Sequence, residues 1–319
     1  MSGAGLVAKA LVTATLVVVG SALPTQTAAA RPPAGEGGAT CVQPEQAPAE
    51  GSAARTARGG RGPDHQVLSA AERADVARRT ARILAQKNES LDRRAKRRAA
   101  GTIPVYVHVM TAKDGTGNVT RARVDRQIEV LNAAFSGAES PGVAADTGFR
   151  FVLADLERHV DNAWHNDRQH SSYRAKTRRG GVTALNVWLV DSSDLGVATF
   201  PWEYPDSPKI DGVRVHYDSL PGRGITNYSL GKTLVHEAGH WLGLYHTFQG
   251  GCSDLNDEVT DTVAQGGPTK GCPVVQDTCV LPGTDPVHNY MDYSYDACYS
   301  EFTPGQALRM QQMATAYRS

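Results

Sequence analysis

Apolar and polar residues alternate where the C-terminal two thirds of the chain begin. Every second residue from 103 to 109 is apolar: Ile103, Val105, Val107 and Val109. A period of two indicates a strand with one buried face. Four further segments have the composition of strands: 148–156, 184–190, 195–200 and 212–217. We therefore expect the folded part of the chain to begin near Thr102.

Other segments repeat apolar residues at the spacing of a helix. Thr120 is placed to cap a helix whose apolar positions are Val124, Ile128, Leu131 and Phe135. A second helix is predicted from about 229 to 243 and a third from about 304 to 316. This order of elements predicts an α+β domain with a mixed sheet and helices against one side. After Gly243 the chain is rich in Gly, Pro, Asp and Cys, which is typical of loops.

The first 30 residues have the pattern of a signal peptide. An apolar run from residue 10 to residue 23 follows Lys9, and small residues end the segment at 28–30. The alternative is a membrane anchor, but Gly20 and Ser21 interrupt the run, which is shorter than the roughly 20 residues that span a bilayer. We expect removal of residues 1–30 and a secreted, extracellular protein without a membrane segment.

Residues 31–101 have the features of a removable pro-segment. Residues 31–66 contain almost no large apolar side chain, so we expect them to be flexible. Residues 68–99 have a helical composition that ends in the basic tract Arg93–Arg98, where a protease can remove the leader. One folded domain follows at 102–319, and it divides into subdomains at 102–243 and 244–319.

The chain has no net charge, but its two parts are opposite in sign. Residues 1–101 carry 15 Lys and Arg against 8 Asp and Glu, whereas residues 102–319 carry 18 against 25. A basic tail often binds nucleic acid, but export argues against a nucleic-acid partner. We instead expect the leader to dock on the acidic domain of its own chain, and we expect a monomer.

Four of the five cysteines lie close together near the C-terminus: Cys252, Cys272, Cys279 and Cys298. In an exported protein these should form disulfides, and the sequence alone leaves three pairings open. Cys41 stands apart in the leader.

The segment from His236 to His246 carries the main candidate chemistry, with the pattern His-Glu-x-x-His-x-x-Gly-x-x-His. His236 and His240 are four residues apart and therefore lie on one face of a helix. Gly243 lets the helix end in a sharp turn, which brings His246 in as a third ligand. Three protein ligands leave a position for water, as in catalytic rather than structural zinc sites.

Glu237 stands beside these ligands and completes the chemistry of a hydrolase. A zinc ion lowers the pKa of its water, and Glu237 is placed to accept the proton as general base when that water attacks a peptide carbonyl. The motif therefore predicts a zinc-dependent endopeptidase. Two alternatives stay open: a catalytically silent scaffold that binds a partner protein, and an enzyme with a narrow non-protein amide substrate.

The remaining histidines show no such spacing. We expect them at the surface or in the core with their hydrogen bonds satisfied: His65, His108, His159, His165, His170, His216 and His288.

Cys41 has two interpretations. Its thiolate could occupy the open metal position and keep the enzyme latent, or it could be an incidental free thiol.

Residues around the motif resemble the pappalysin family of metzincin zinc peptidases. The resemblance rests on His246–Cys252, Asn289–Ser294 and Phe302–Gln306, and it covers roughly residues 102–319. Among pappalysins, the chain most resembles compact prokaryotic members of the ulilysin and cytophagalysin kind. It implies a metzincin-type zincin fold, with a mixed, twisted sheet, helices above the cleft and a loop-rich, disulfide-stapled C-terminal subdomain. It also implies that residues 195–201 form the edge strand along which the substrate lies.

The resemblance assigns roles to single residues. Met291 matches the methionine of a turn beneath the metal, and Tyr293 matches a tyrosine that assists the zinc and stabilises the transition state. Without the resemblance, Met291 is core filler and Tyr293 is an ordinary buried tyrosine. The implied disulfides join Cys252 to Cys279 and Cys272 to Cys298.

Two further expectations concern acidic residues. Relatives of this type prefer Arg or Lys after the cleaved bond, and Asp296 matches the carboxylate that would hold it, the alternative being a solvent-exposed loop aspartate. Relatives also bind calcium in the loop after the third histidine. The corresponding residues here, which are otherwise solvated loop acids and their neighbours, are Asp254, Asp257, Val259, Thr260 and Asp261.

Overall fold

The computed structural model describes residues 68–87 and 101–319. All of them belong to one compact unit that runs from Glu50 to Ser319. The predicted signal peptide, the predicted flexible part of the leader, Cys41 and the tract Arg93–Arg98 lie outside the described residues. Within the described ranges, no helix combines the length and the apolar character needed to cross a membrane.

Five strands form one mixed sheet, which confirms the predicted class. They are β1 (Thr102–Thr111), β2 (Arg150–Val160), β3 (Leu185–Val190), β4 (Gly196–Ala198) and β5 (Val213–His216). Their order across the sheet is β2-β1-β3-β5-β4. Neighbouring strands are parallel except β4, which pairs antiparallel with β5 at one edge.

Six α-helices accompany the sheet in the described part of the chain. They are α1 (Ala70–Gln86), α2 (Arg121–Phe135), α3 (Asn162–His165), α4 (His170–Thr177), α5 (Lys232–Trp241) and α6 (Pro304–Tyr317). The three helices predicted after residue 102 correspond to α2, α5 and α6. Thr120 is the N-cap residue of α2, but its side chain makes no capping hydrogen bond. Helices α3 and α4 were not predicted, because segments this short and polar carry no clear helical period.

The main core lies between one face of the sheet and helices α2 and α5. Val105 and Val109 of β1 are buried there together with Leu131 of α2 and Leu234 of α5. A smaller cluster on the opposite face contains Met110 and Trp188 of the sheet, against which Tyr173 of α4 and Trp164 of α3 pack. Helices therefore lie on both faces, and the expectation of helices against one side only is wrong, because α3 and α4 were not predicted. Strand β1 is therefore buried on both faces and holds the sheet at the centre of the domain.

The chain between α5 and α6 is built of loops, apart from a 3₁₀ turn at Asp296–Cys298. Disulfides join Cys252 to Cys279 and Cys272 to Cys298, which is the pairing that the resemblance implies. The loop-rich, stapled C-terminal subdomain is thus present.

Helix α1 is the described part of the leader. Ser69 caps it, with reciprocal hydrogen bonds between Ser69 and Glu72. Val76 and Leu84 of α1 are buried against a cluster that includes Phe200 and Tyr317. The leader helix therefore packs on the folded domain through an apolar face.

Candidate active site

Helix α5 and the turn after it carry the three histidines of the motif. His236 and His240 lie one turn apart on α5, and both are fully buried. The helix ends at Trp241, and Gly243 has a φ of 96°, a left-handed conformation that favours glycine. The turn brings His246 against the other two side chains.

The three imidazoles converge on one point. The Nε2 atoms of His236, His240 and His246 lie 3.1–3.2 Å from one another. The Nδ1 atoms of His236 and His240 lie 2.6 and 2.8 Å from the carbonyl oxygens of Tyr290 and Leu244. A carbonyl oxygen only accepts, so each of these Nδ1 atoms carries the proton and each Nε2 presents a lone pair. Lone pairs this close repel unless a cation lies among them, so the residues fit a metal ion.

Glu237 lies buried beside these histidines, at 1% exposure, because strand β4 leaves room for it. A Cβ atom at Gly196 would stand 2.4–2.6 Å from the Oε1, Cγ and Cδ atoms of Glu237. Contacts this short are repulsive, so residue 196 must be glycine if Glu237 is to keep its place. The carboxylate is thereby held between the histidine helix and the edge strand.

Strand β4 occupies the position that a substrate-binding strand requires. It is last in the strand order and pairs with β5 on one side. The segment 195–201 thus contains an edge strand, as expected. An edge strand offers backbone N–H and C=O groups to an extended peptide.

Met291 lies beneath the histidine helix and touches it where the helix has no side chain. A Cβ atom at Gly239 would stand 2.5 Å from the sulfur of Met291, which is fully buried. The backbone N–H of Thr247 donates to the Met291 carbonyl at 3.2 Å. The methionine therefore supports the floor of the site, and any side chain at residue 239 would displace it.

Aromatic rings line the other side of the histidine cluster. The ring centroid of Tyr293 lies 4.7 Å from that of His246 and 5.8 Å from that of His236. Phe248 stacks on His246 at 4.7 Å. Asp292 holds the preceding turn by accepting the Tyr293 N–H at 2.7 Å, and burial raises the pKa of its carboxyl. The structure thus places Tyr293 next to two of the predicted ligands.

Asp296 is buried, and in space its side chain lies at the N-terminus of α5. Its Oδ2 accepts a hydrogen bond from the Leu230 N–H at 2.9 Å and a longer one from the Lys232 N–H at 3.4 Å. Only 1% of the residue is exposed, so the alternative of a solvent-exposed loop aspartate is wrong. The carboxylate is fixed in place by backbone donors near the N-terminus of the helix.

The acidic loop after His246 uses several of its side chains in other contacts. Asp261 accepts the N–H of Gly305 at 2.7 Å at the start of α6. Asp257 accepts the Val259 N–H at 3.0 Å, and burial raises its pKa to about 7, while Asp254 is exposed. Among the residues that the structure describes, no three His, Cys, Asp or Glu side chains in this loop bring their ligand atoms together. Calcium stays a prediction.

Several residues of the site were missed from the sequence. Gly196 and Gly239 act through the absence of a side chain, and Tyr290 acts through its backbone carbonyl. Phe248 lies in the segment His246–Cys252, which resembles the pappalysin family but has no spacing of its own that indicates a site. None of these residues has a spacing that signals its contact, because each contact depends on tertiary packing.

The sequence matches a protein-family model described as Pregnancy-associated plasma protein-A, of the M43 peptidases, over residues 180–315. The chain is 40% identical over 232 residues to an extracellular metalloprotease of Pyricularia oryzae, covering 70% of this chain and 79% of that relative. It is 39% identical over 246 residues to an extracellular metalloprotease of Neurospora crassa, covering 74% of this chain and 83% of that relative.

Solved structures also match this chain. Mature mirolysin of Tannerella forsythia in complex with a cleaved peptide is 32% identical, with a TM-score of 0.57 over 66% of this chain and 89% of that one. A mutant of Tannerella forsythia promirolysin is 28% identical, with a TM-score of 0.62 over 76% of this chain and 90% of that one.

Proposed function

The chain belongs to the pappalysin family of metalloproteases, and from this premise we propose that it is a secreted, zinc-dependent endopeptidase made as a latent zymogen. As a metalloprotease it is a hydrolase that acts on peptide bonds. One observation carries the finer proposal: three imidazole Nε2 atoms lie 3.1–3.2 Å apart beside a buried glutamate. Secretion is supported by the signal-peptide pattern and by relatives named extracellular.

Zinc would be held by His236, His240 and His246. Three neutral imidazoles with room for a further ligand are the donor set of catalytic zinc sites. When bound, the ion supplies positive charge that acidifies an attacking water and polarises the scissile carbonyl. The carbonyls of Tyr290 and Leu244 keep two of the histidines in the tautomer that presents Nε2 to the ion.

Glu237 would act as general base and take the proton from the attacking water. It would then pass that proton to the leaving amine. Its burial between α5 and β4 keeps the carboxylate at one position, which supports this role over that of a surface residue. The Tyr293 hydroxyl would stabilise the oxyanion, since its ring lies 4.7 Å from that of His246.

Asp296 would select Arg or Lys after the scissile bond. A buried carboxylate pairs strongly with a guanidinium or ammonium group that enters its pocket. The backbone N–H groups of Leu230 and Lys232 hold one of its oxygens, which fixes the carboxylate at one position.

The leader would keep the enzyme latent. Arg73 of α1 donates to the carbonyl of Gln249, three residues after His246, at 3.1 Å. The similarity to a promirolysin structure supports a pro-form. Cys41 as the latency thiol rests on the sequence alone.

Calcium would bind in the loop at 254–261. The buried Asp257 supports this proposal, and Asn256 is an added candidate because its buried Oδ1 lacks a hydrogen-bond partner among the described residues.

The test is cleavage of a diverse peptide mixture by protein whose leader has been removed. We expect cleavage that stops with a zinc chelator and returns with zinc, and new termini that begin with Arg or Lys. The variant Glu237→Gln should bind zinc equally and cleave about 10²–10⁴-fold more slowly. Asp296→Asn should lose the basic preference while it keeps cleaving.

Each result has a distinct meaning. Cleavage by wild-type protein with another preference would reject Asp296 as the specificity residue and keep the enzyme. Equal activity of Glu237→Gln would reject the general base. No cleavage by folded, zinc-loaded protein would favour a partner-binding scaffold or a narrow non-protein substrate.

A further inference from the structure

A second cluster of ligand-type side chains lies on the face of the sheet away from the histidine helix. His108 is on β1, and Glu157 and His159 are on β2. The strand register pairs His108 with Glu157 and Met110 with His159. Residues two apart on a strand point to the same face, so all three side chains meet there. Their ligand atoms lie within 4.8 Å of one another.

The protonation of His108 follows from its neighbour Asn186. The Oδ1 of Asn186 accepts the Arg179 N–H at 2.8 Å, and its Nδ2 donates to the Arg179 carbonyl at 2.8 Å. These two bonds fix which end of the amide is oxygen. The Nε2 of His108 lies 3.0 Å from that oxygen and must be the donor. The lone pair of His108 is therefore on Nδ1.

That lone pair faces a carboxylate. Nδ1 of His108 lies 3.6 Å from Oε2 of Glu157, and Nε2 of His159 lies 3.4 Å from the same oxygen. Neither ring nitrogen has a hydrogen-bond partner within the described residues, although both atoms are buried. A buried lone pair that faces an acceptor oxygen is unfavourable unless a cation lies between them.

The separations fit a metal ion better than a hydrogen bond. Ligands at about 2.0–2.1 Å from a tetrahedral zinc lie roughly 3.3–3.5 Å from one another. The two distances here are 3.4 and 3.6 Å, whereas good N–H···O hydrogen bonds are about 2.9 Å. The Nε2 atoms of the active-site histidines stand at a similar separation of 3.1–3.2 Å.

We propose that His108, Glu157 and His159 form a second binding site for a divalent transition-metal ion, with zinc as the expected occupant. The ligands are Nδ1 of His108, Nε2 of His159 and a carboxylate oxygen of Glu157. The ion would cross-link edge strand β2 to the central strand β1. Its role is to stabilise the sheet, because the site lies on the face opposite α5 and shares no ligand with the active site.

The surroundings have the features of a metal site. The hydrogen bond from His108 to Asn186 orients the ring, as outer partners of metal-bound histidines do. The His108 ring also stacks on Trp188 at 5.4 Å. The side chains of Glu157 and His159 are 21% and 20% exposed, so water can reach the ion and complete its ligands.

A proton is the competing occupant, since a charged histidine could pair with Glu157. Burial lowers the pKa of His108 to about 4 and also lowers the pKa of His159. Burial therefore disfavours the charged form of both rings. The guanidinium of Arg179 donates to both oxygens of Glu157, at 2.7 Å to Oε1 and at 3.2 Å to the Oε2 that faces the histidines. Its charge should make this site weaker than the three-histidine site.

The test counts zinc ions per chain in the full-length protein, after metal removal and re-equilibration with zinc at micromolar free concentration. We expect two ions per chain in wild-type protein and one in His159→Ala. The matched control is His170→Ala, which removes an exposed histidine of α4 and should keep two ions. Glu157→Gln keeps the shape of the side chain and should weaken the second site at least tenfold.

A measurement without variants guards against a folding defect. Anomalous diffraction at the zinc edge from wild-type crystals should show one peak among His236, His240 and His246 and another among His108, Glu157 and His159. Equal zinc counts in wild-type and folded His159→Ala protein, or no peak at the second position, would each overturn the proposal. The proposed zinc site of the three histidines is tested separately, because its anomalous peak does not depend on the peak at the second site.

Discussion

The position of the Glu237 carboxylate depends on Gly196, because this residue has no side chain. Three atoms of Glu237 lie within 2.4–2.6 Å of where a Cβ at residue 196 would stand. Gly196→Ala should therefore push the carboxylate away from the position in which the proposed general base would meet a water. Because a displacement of about 1 Å can cost 10²-fold in rate, we expect kcat/KM to fall about 100-fold. Zinc content should stay at the wild-type level, since Gly196 is on β4 and the ligands follow from α5.

The control for this prediction is Gly181→Ala. A Cβ at Gly181 meets nothing within 4 Å, and the residue is exposed. This variant should retain wild-type kcat/KM and zinc content. If Gly196→Ala keeps full activity, then the position of Glu237 is not set by β4, and the account of its placement is wrong.

At the same scale, the sequence predicts residues that act through their own chemistry. The spacing of His236, His240 and His246 follows from helix geometry and a glycine turn, so it can be found without a structure. Gly196 cannot be found in this way, because its contact joins a strand to a helix 41 positions later. The cluster of His108 and His159 was missed for a similar reason, since it depends on the register between β1 and β2.

At the scale of elements, the C-terminal end of α5 is held by a buried ion pair. The guanidinium of Arg318 donates to both carboxylate oxygens of Asp211 at 3.0 and 3.1 Å. Its Nε donates to the Trp241 carbonyl at 3.0 Å, and the guanidinium lies 3.6 Å from the centre of the Trp241 ring. Arg318→Ala leaves the buried Asp211 with Arg178, at 3.5 Å, as its remaining cationic partner. The free energy of unfolding should therefore fall by about 3 kcal/mol, the lower end of the range for breaking a buried pair.

Urea denaturation of the folded protein measures this change. The matched control is Arg121→Ala, which breaks an exposed pair with Asp125 at 2.7 Å. An exposed pair of this kind contributes about 0–1 kcal/mol, so the control should be close to wild type. Equal losses for the two variants would show that burial of the Arg318 pair adds nothing to its contribution.

Helices and strands with a clear repeat of apolar residues could be predicted from the sequence, and those without one could not. Strand β1 and helix α2 have clear apolar repeats and lie within a few residues of their predicted bounds. Helices α3 and α4 are short, and α3 begins where the Asp161 side chain accepts the N–H groups of Ala163 and Trp164. Their place over the sheet is set by the packing of Trp164 and Tyr173 against Trp188 and Met110 rather than by a local pattern.

At the scale of the whole molecule, leader and catalytic domain share one apolar cluster. Val76 and Leu84 of α1 lie in a cluster with Phe200 and Tyr245. The Phe200 ring in turn meets the ring of His240 edge-on at 5.5 Å. The leader is thereby connected through one aromatic side chain to a proposed zinc ligand. Removal of α1 should expose this cluster and loosen the wall of the site.

Arg73 makes the polar contact of the leader helix that lies nearest in sequence to the histidine motif. Its side chain donates to the Gln249 carbonyl at 3.1 Å and lies 3.6 Å from Glu258, which also pairs with Arg309 at 3.2 Å. A hydrogen bond from a charged group contributes about 1.5–3 kcal/mol when its partner is buried. Arg73→Ala should therefore weaken the hold of the cleaved leader at least tenfold.

Size-exclusion chromatography after cleavage at the basic tract Arg93–Arg98 measures this hold directly. The wild-type leader should co-elute with the catalytic domain, whereas the Arg73→Ala leader should separate from it and release peptidase activity sooner. Arg82→Ala is the control, because Arg82 lies on the exposed face of the same helix and its loss should leave co-elution unchanged. Separation of the wild-type leader on cleavage would show that the contacts of α1, including that of Arg73, do not hold the cleaved leader on the domain.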